Sequence, residues 1–339
     1  MKLKIVTTTY NQKEYIEEAI NSFLMQETNF QYKIVISDDC STDGTREILK
    51  QYSEKYPEKF EIIFNERNLG AMENFINTLS NVKDAEYVAL CDGDDFWTDK
   101  NKLQKQVDFL DKNKEFNICF HKAKLFFQEG EKESSIIPQF DKEVTTIKDL
   151  VEQNYIVANS VVYRWKFNNR NLKEIFPKDI VPGDYYMHLL HAEDGKIKMF
   201  DEVMSCYRRH KDGMWWSNEK DREKFSIQYG KKFLNFFKAA NDNMKLPKNA
   251  FAAQRKGIIY DMIVAYTKND MLDKLYQDIN TDIDKKAYQE CMKDIVNRNI
   301  WFLDYLKSKE QYNPEEELNR IKESKWWKIG EKVRKIYKH

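Results

Sequence analysis

Residues 4–24, Lys4-Ile-Val-Thr-Thr-Thr9-Tyr-Asn11-Gln-Lys-Glu-Tyr-Ile16-Glu-Glu-Ala19-Ile20-Asn-Ser-Phe23-Leu24, change their hydrophobic period in mid-course. The β-branched run Lys4 to Thr9 reads as a strand; beyond it, with Asn11 as cap, Ile16, Ala19, Ile20, Phe23 and Leu24 share one helical face. The same pair recurs downstream. Lys33 to Ser37 reads as strand and 45–56 as helix, Glu61 to Asn65 as strand and 72–79 as helix, and Tyr87 to Cys91 as a fourth strand. Repeated β-α units predict an α/β fold with a mostly parallel, Rossmann-like sheet, because parallel strands need crossover connections.

From about 116 to 217 the text changes to short strands (Asn117 to His121, Ser160 to Arg164, Met204 to Arg208) with a helix at 184–192, an α+β half completing the same domain. Residues 218–339 read as a helical C-terminal region with few breakers. Composition limits the function. Fifty-six Lys and Arg balance 56 Asp and Glu, which argues against a general nucleic-acid binder. The five cysteines are scattered without the short paired spacings of thiolate metal sites. Neither an apolar leader nor an apolar run of about 18 residues is present, so a cytoplasmic location is expected.

Ligands of such sheets bind beyond the carboxyl ends of the strands. A polar cluster follows each predicted strand: Thr7-Thr-Thr-Tyr-Asn11, Asp38-Asp-Cys-Ser-Thr-Asp43, Asn65-Glu-Arg-Asn-Leu-Gly70 and Asp92-Gly-Asp-Asp95. Three carboxylates in four residues repel one another unless a cation or donors offset them; Mg²⁺ or Mn²⁺ is the simple remedy, a solvated acidic turn the bland one. Asp38 and Asp39 suit a base N–H or ribose hydroxyls, whereas Ser41 or Asp43 suits a helix cap.

Val6-Thr-Thr-Thr-Tyr-Asn11, Ile36-Ser-Asp-Asp-Cys-Ser-Thr-Asp43, Asn68-Leu-Gly70 and Cys91-Asp-Gly-Asp-Asp-Phe-Trp97, in that order, resemble the motifs of family 2 glycosyltransferases of the GT-A fold over residues 1–217. The resemblance implies a nucleotide-sugar half, 1–115, and an acceptor half, 116–217. It implies that Asp92 and Asp94 bind ribose and a metal-bound diphosphate, and that Thr7, Thr8, Tyr10, Asp38, Asp39, Asn68, Gly70, Asn74 and Gly93 line the nucleotide-sugar site. Thr8 stands where relatives often carry Pro, and Asn74 where many carry Arg.

Asp184, in Val181-Pro-Gly-Asp184-Tyr-Tyr-Met-His188, falls at a helix start where an N-cap is also expected. It resembles the family's catalytic base motif, with Gly183 in place of the commoner Glu. His210, in Cys206-Tyr-Arg-Arg-His210, resembles a segment that supplies a metal ligand or a diphosphate contact. His188 and His191 read as structural. Trp97, Asn159 and Ser160 match positions common in these enzymes, and Trp215 and Trp216 can stack on a sugar or pack internally; all five are expected acceptor contacts. The resemblance implies an inverting, Mn²⁺- or Mg²⁺-dependent transfer from a nucleotide sugar, with uridine favoured, to a hydroxyl of a glycan or lipid-linked saccharide of the bacterial cell surface. The alternatives are a sugar-phosphate nucleotidyltransferase, whose Gly-rich, Lys-bearing loop is missing after the first strand, and a non-catalytic sugar-nucleotide or glycan-binding module. Residues 320–339 carry eight Lys or Arg against two Glu, interleaved with Trp326 and Trp327; they suit peripheral contact with an anionic membrane or a helix packed on the domain.

Overall fold

The structure is a computed structural model and describes residues 1–130, 132–139, 142–168, 170–213, 221–247, 249–279 and 281–307. Trp215, Trp216 and the segment 320–339 lie outside the described residues. In chain order the elements are β1 (Leu3–Thr9), α1 (Ile16–Leu24), β2 (Tyr32–Asp38), α2 (Thr45–Lys55), β3 (Phe60–Phe64), α3 (Ala71–Ser80), β4 (Tyr87–Leu90), β5 (Phe96–Trp97), α4 (Lys102–Lys112), β6 (Phe116–Phe127), β7 (Ser135–Ile137), β8 (Val144–Thr145), α5 (Ile147–Leu150), β9 (Val162–Arg164), α6 (Leu172–Ile175), α7 (Gly183–Ala192) and β10 (Lys196–Arg209). Helices α8 (Arg222–Asn243), α9 (Ala252–Lys268), α10 (Leu272–Asp278) and α11 (Asp282–Lys307) follow.

One mixed sheet runs β3-β2-β1-β4-β9-β6-β10-β5, with β7 on β6 and β8 on β10. Its first four members are parallel, as the β-α repeats predict. Strand β9 enters antiparallel between β4 and β6. Alternation along the strands sends Leu3 and Ile5 of β1, Ile34 and Ile36 of β2 and Tyr87 and Ala89 of β4 into one core with Ile16, Ile20 and Phe23 of α1 and Leu103, Val107 and Leu110 of α4. Helix α3 packs on β1 and β2 as well as on α6 and α7.

Two compact units result. The first holds residues 1–213 with 238–250; the second takes in the described residues between 221 and 237 and from 251 to 307. In the second, α9 packs on α10 and α11. A buried Arg255–Asp284 ion pair joins α9 to α11, and the Tyr266 hydroxyl donates to Asp278 at 2.7 Å.

Asn11 does not cap α1. It turns the chain at a left-handed φ of 51°, the helix starts only after Tyr15, and its side chain is used elsewhere.

Candidate active site

Register sets Thr9 beside Asp38 and Asp38 beside Phe64, so the loops after β1, β2 and β3 leave from one edge of the sheet. Side chains then stitch the first two loops together. Asn11 N–H donates to Ser41 Oγ at 2.8 Å, and Asn11 Oδ1 accepts from Thr42 N–H at 2.9 Å. Asp43 accepts from Lys13 N–H at 2.9 Å and from Thr45 N–H at 3.0 Å, tying the start of α2 to the loop after β1.

The adjacent carboxylates Asp38 and Asp39 are both buried but differently employed. Asp39 accepts from Asn65 Nδ2 at 3.0 Å and from the N–H groups of Leu69 and Gly70, both at 2.8 Å. It is occupied in shaping the Asn65–Gly70 loop rather than in facing a ligand. Asp38 Oδ2 accepts from Arg46 Nε at 2.5 Å and Ser41 N–H at 3.2 Å, whereas its Oδ1 has no partner. Thr7 Oγ1, Thr9 Oγ1 and Gln12 Oε1 are likewise buried without partners. Native proteins leave few such atoms, and these four gather at the carboxyl edge of β1 and β2.

Asn74 departs from the sequence expectation. It is 2 % exposed, accepts from Ser37 Oγ at 2.6 Å and Asn65 Nδ2 at 2.9 Å, and donates to the Ser37 carbonyl at 3.3 Å; its amide is used up inside the loop scaffold. Asn68 is exposed, with Oδ1 accepting from Gly70 N–H at 2.9 Å, and Tyr10 is exposed beside the same edge. Gly70 takes a φ of 84° at the start of α3, where a side chain would be strained.

The acidic motif follows β4 and is fixed from the far end of the chain. Strand β5 pairs antiparallel with β10, setting Phe96 beside Cys206, so β10 delivers Arg208 and His210 onto Asp92–Asp95. Arg208 N–H donates to Asp95 Oδ1 and its Nε to the Asp94 carbonyl, both at 2.8 Å. Its terminal nitrogens reach Gln128 and Glu18 while the guanidinium stacks among Tyr15, Phe96 and Phe126. Nothing local marks Arg208 for this role, although it lies in the segment Cys206–His210. Asp95 is buried and also accepts from Asn159 at 2.9 Å, so it anchors the loop. Gly93 has no room for a side chain: a Cβ there would lie 2.5 Å from Gln12 Oε1 and 3.0 Å from Ile16.

Asp92 and Asp94 remain for chemistry. His210 Nε2 and Asp94 Oδ2 are 2.9 Å apart, and Thr8 Oγ1 donates to Asp92 Oδ1 at 3.2 Å. Although Asp92 reaches solvent, crowding by the surrounding protein, followed by the charges of Asp94 and Asp184, lifts its pKa to about 7. Among the described residues no three His, Cys, Asp or Glu side chains are gathered as in a formed metal site. The donor set nevertheless suits Mn²⁺ or Mg²⁺, because a divalent cation relieves the repulsion that raises Asp92.

This has a thermodynamic consequence. A carboxyl whose folded pKa is raised binds protons more tightly folded than unfolded, so its contribution to stability falls as pH rises through the window from about 4 to about 7. In metal-free protein, Asp92→Asn is expected to raise Tm at pH 8 and to keep only about half of that advantage at pH 5.5. Buried His121, His188 and His191, whose pKa values burial lowers, pull the opposite way but cancel in the difference between variant and parent. An equal Tm difference at both pH values in a scan with EDTA refutes it.

Asp184 lies in the first turn of α7, where its Oδ1 accepts from Tyr185 N–H at 2.8 Å. Loss of hydration raises its pKa to about 6, and its charge is felt at Asp92, so the two carboxylates share one neighbourhood. The structure also explains Gly183. A Cβ there would lie 2.7 Å from Met72 Sδ and 3.1 Å from Phe75, because α3 packs against the start of α7. Gly183→Ala is expected to cost about 1–2 kcal/mol of stability by overpacking, and Met72→Ala in the same chain to recover part of it; an unchanged urea midpoint for Gly183→Ala would count against this packing.

Three expected acceptor contacts prove to be interior. Trp97 is 2 % exposed, with Nε1 donating to the Asn159 carbonyl at 2.8 Å, Phe23 packed edge-on and Lys102 Nζ over its ring. Asn159, fully buried, donates to Asp95 and to the Cys206 carbonyl and accepts from Ser205 at 2.7 Å. Ser160, also fully buried, donates to the Val157 carbonyl at 2.7 Å. None of the three can touch an acceptor; Asn159 instead carries the hydrogen bonds that join β10 to the acidic motif.

Residues 4–146 match the sequence model described as Glycosyl transferase family 2. The uncharacterized protein Rv1520 of Mycobacterium tuberculosis is 41 % identical over 223 residues, covering 66 % of this chain and 63 % of that protein. The chain thus spans somewhat less than two thirds of the length of this relative. The poly(ribitol-phosphate) beta-N-acetylglucosaminyltransferase TarS of Staphylococcus aureus is 32 % identical over 216 residues, 63 % of this chain and 36 % of TarS. The crystal structure of S. aureus TarS 1-349 in complex with UDP-GlcNAc superposes with a TM-score of 0.55 at 20 % identity, covering 87 % of this chain and 80 % of that one. The mannosyltransferase PcManGT from Pyrobaculum calidifontis, in complex with GDP-Man and Mn²⁺, gives 0.54 at 15 % identity, covering 86 % and 84 %. With the parallel β3-β2-β1-β4 edge and the acidic motif beyond it, residues 4–146 carry the family 2 glycosyltransferase sequence, and the chain has a GT-A-like fold.

Proposed function

We propose that the protein transfers a sugar, with inversion, from a nucleoside diphosphate sugar to a hydroxyl of a saccharide or lipid-linked saccharide acceptor in surface polysaccharide assembly. Support comes from unpartnered Asp38 Oδ1 and the Asp92–Asp94 pair, which follow strands at the carboxyl edge of the sheet, and from Asp184 on α7, whose charge is felt at Asp92. Asp38 Oδ1 accepts from the nucleoside, with Thr7, Thr8, Tyr10 and Asn68 around it. Asp92, Asp94 and His210 would hold Mn²⁺ or Mg²⁺, which when bound stabilises the charge developing on the departing diphosphate. Asp184 takes the proton of the acceptor hydroxyl as that oxygen attacks the anomeric carbon from the side opposite the diphosphate. The complexes of TarS with UDP-GlcNAc and of PcManGT with GDP-Man and Mn²⁺ support a nucleotide-sugar donor.

Among the described residues no helix is long and apolar enough to cross a membrane. We attribute any membrane contact to residues 320–339.

The test is a thermal-shift panel of UDP-glucose, UDP-galactose, UDP-N-acetylglucosamine, UDP-N-acetylgalactosamine and GDP-mannose, each with Mn²⁺ or EDTA. At least one donor should raise Tm with Mn²⁺ and much less with EDTA, and Asp94→Asn should remove the metal-dependent part. Equal shifts with and without metal, or none with any donor, would overturn the assignment.

A further inference from the structure

His188 follows Asp184 by one helical turn on α7, so the two side chains lie on the same face. It is fully buried, and its Nε2 makes no hydrogen bond, although a buried N–H without a partner is costly. Nε2 sits 4.0 Å from Asp184 Oδ2, about 1 Å beyond hydrogen-bond range. The opposite nitrogen is held firmly: Nδ1 lies 2.5 Å from the hydroxyl of fully buried Tyr163 on β9. With the phenol as donor to Nδ1, the ring carries its proton on Nε2, the nitrogen nearer the carboxylate. Burial, reinforced by neighbouring His191, lowers the imidazole's pKa to about 3, so the ring is neutral at working pH. His191 stacks on Tyr163 with centroids 4.3 Å apart and blocks its movement.

We propose that His188, oriented by Tyr163, is a positioning residue for the base: its Nε2–H closes onto Asp184 Oδ2 as a small rotation of Asp184 brings them together, fixing the plane of the carboxylate. This deepens the reading of Asp184 as the base and rests on it. Tyr185 N–H already holds Oδ1, so the second bond leaves the remaining lone pairs aimed outward for the acceptor proton. The proton passes from the acceptor hydroxyl to Asp184; the imidazole neither gains nor loses one. A hydrogen bond to the charged form favours it, so His188 also restrains the rise of Asp184's pKa. The groups facing these two are Asp92, from the loop after β4, Tyr163 from β9, His191 from α7, and the backbone of Ile156, which offsets part of the effect of burial on the ring.

The experiment measures Mn²⁺-dependent release of nucleoside diphosphate from the donor panel, with water as acceptor, against pH for the full chain and for Asp184→Asn, His188→Phe, His188→Gln and Tyr163→Phe. In His188→Phe the acid limb should move up by about one pH unit, with turnover near pH 6 down about fivefold and donor KM unchanged. His188→Gln, which restores an N–H near the Nε2 position, should recover most of this, and Tyr163→Phe should fall between. If Asp184→Asn is inactive but His188→Phe keeps the parental pH profile, or Gln rescues no better than Phe, His188 only packs and the base assignment stands. If Asp184→Asn turns over normally, the base assignment itself fails. Should His188→Phe not fold, Gln against Tyr163→Phe decides: parental profiles in both overturn the proposal.

Discussion

Asp184→Asn is expected to abolish sugar transfer while leaving donor binding intact. A positioned general base contributes about 10²–10⁴-fold, and the amide cannot take the acceptor proton, so turnover should drop by at least that range. The substitution is nearly isosteric, and Asp184 Oδ1 already accepts from the backbone of its own helix, an interaction the Asn carbonyl reproduces. Stability should therefore hold or rise slightly, because a carboxyl whose pKa burial lifts to about 6 loses its desolvation cost when neutral. Parallel measurements of donor thermal shift and of turnover decide the matter. Retained turnover, or a donor shift lost together with turnover, contradicts a role confined to proton transfer.

The second large effect is expected from Arg208. Its backbone and guanidinium engage Asp95, Asp94, Gln128 and Glu18 at once, and three aromatic rings pack on it. Truncation removes a hydrogen-bonded charge 7 % exposed. Its partner Glu18 is half exposed, which reduces the cost through solvent screening. Arg208→Ala should therefore destabilise by about 2–4 kcal/mol, and the Mn²⁺-dependent response to donor should disappear even where the fold survives. Arg208→Lys should recover little, since an ammonium cannot present the planar fork that meets several partners. A Tm within a degree or two of the parent and an intact metal response would show that the acidic loop keeps its shape unaided.

How legible the molecule was depended on the range of the interactions involved. The parallel strands were readable because period-2 and period-3.6 patterns alternate over short stretches, and the polar cluster after each strand announced the functional edge. Yet a pattern cannot distinguish two adjacent carboxylates. Asp39 is saturated by Asn65, Leu69 and Gly70, about thirty residues away, while Asp38 keeps one oxygen free. Trp97, Asn159 and Ser160 bear polar groups and flank motifs, which made them look like acceptor contacts. Their burial follows from β10 closing over β5, a pairing that no local signal encodes. Likewise Asn11 has the chemistry of a helix cap, but its side-chain oxygen accepts from the Thr42 N–H instead.

The sequence by itself determined the β-α order, the four polar strand ends, and the candidates Asp38, Asp92, Asp94 and Asp184, since each depends on local periodicity or on a carboxylate at a recognisable break. Only the tertiary structure decided that Arg208 and His210 arrive on the acidic motif from more than a hundred residues downstream, that Met72 and Phe75 leave Gly183 no room for a side chain, and that Tyr163 holds His188 behind Asp184. The reason is physical: burial and hydrogen-bond partnership are properties of the packed sheet, and packing joins residues that the chain keeps far apart.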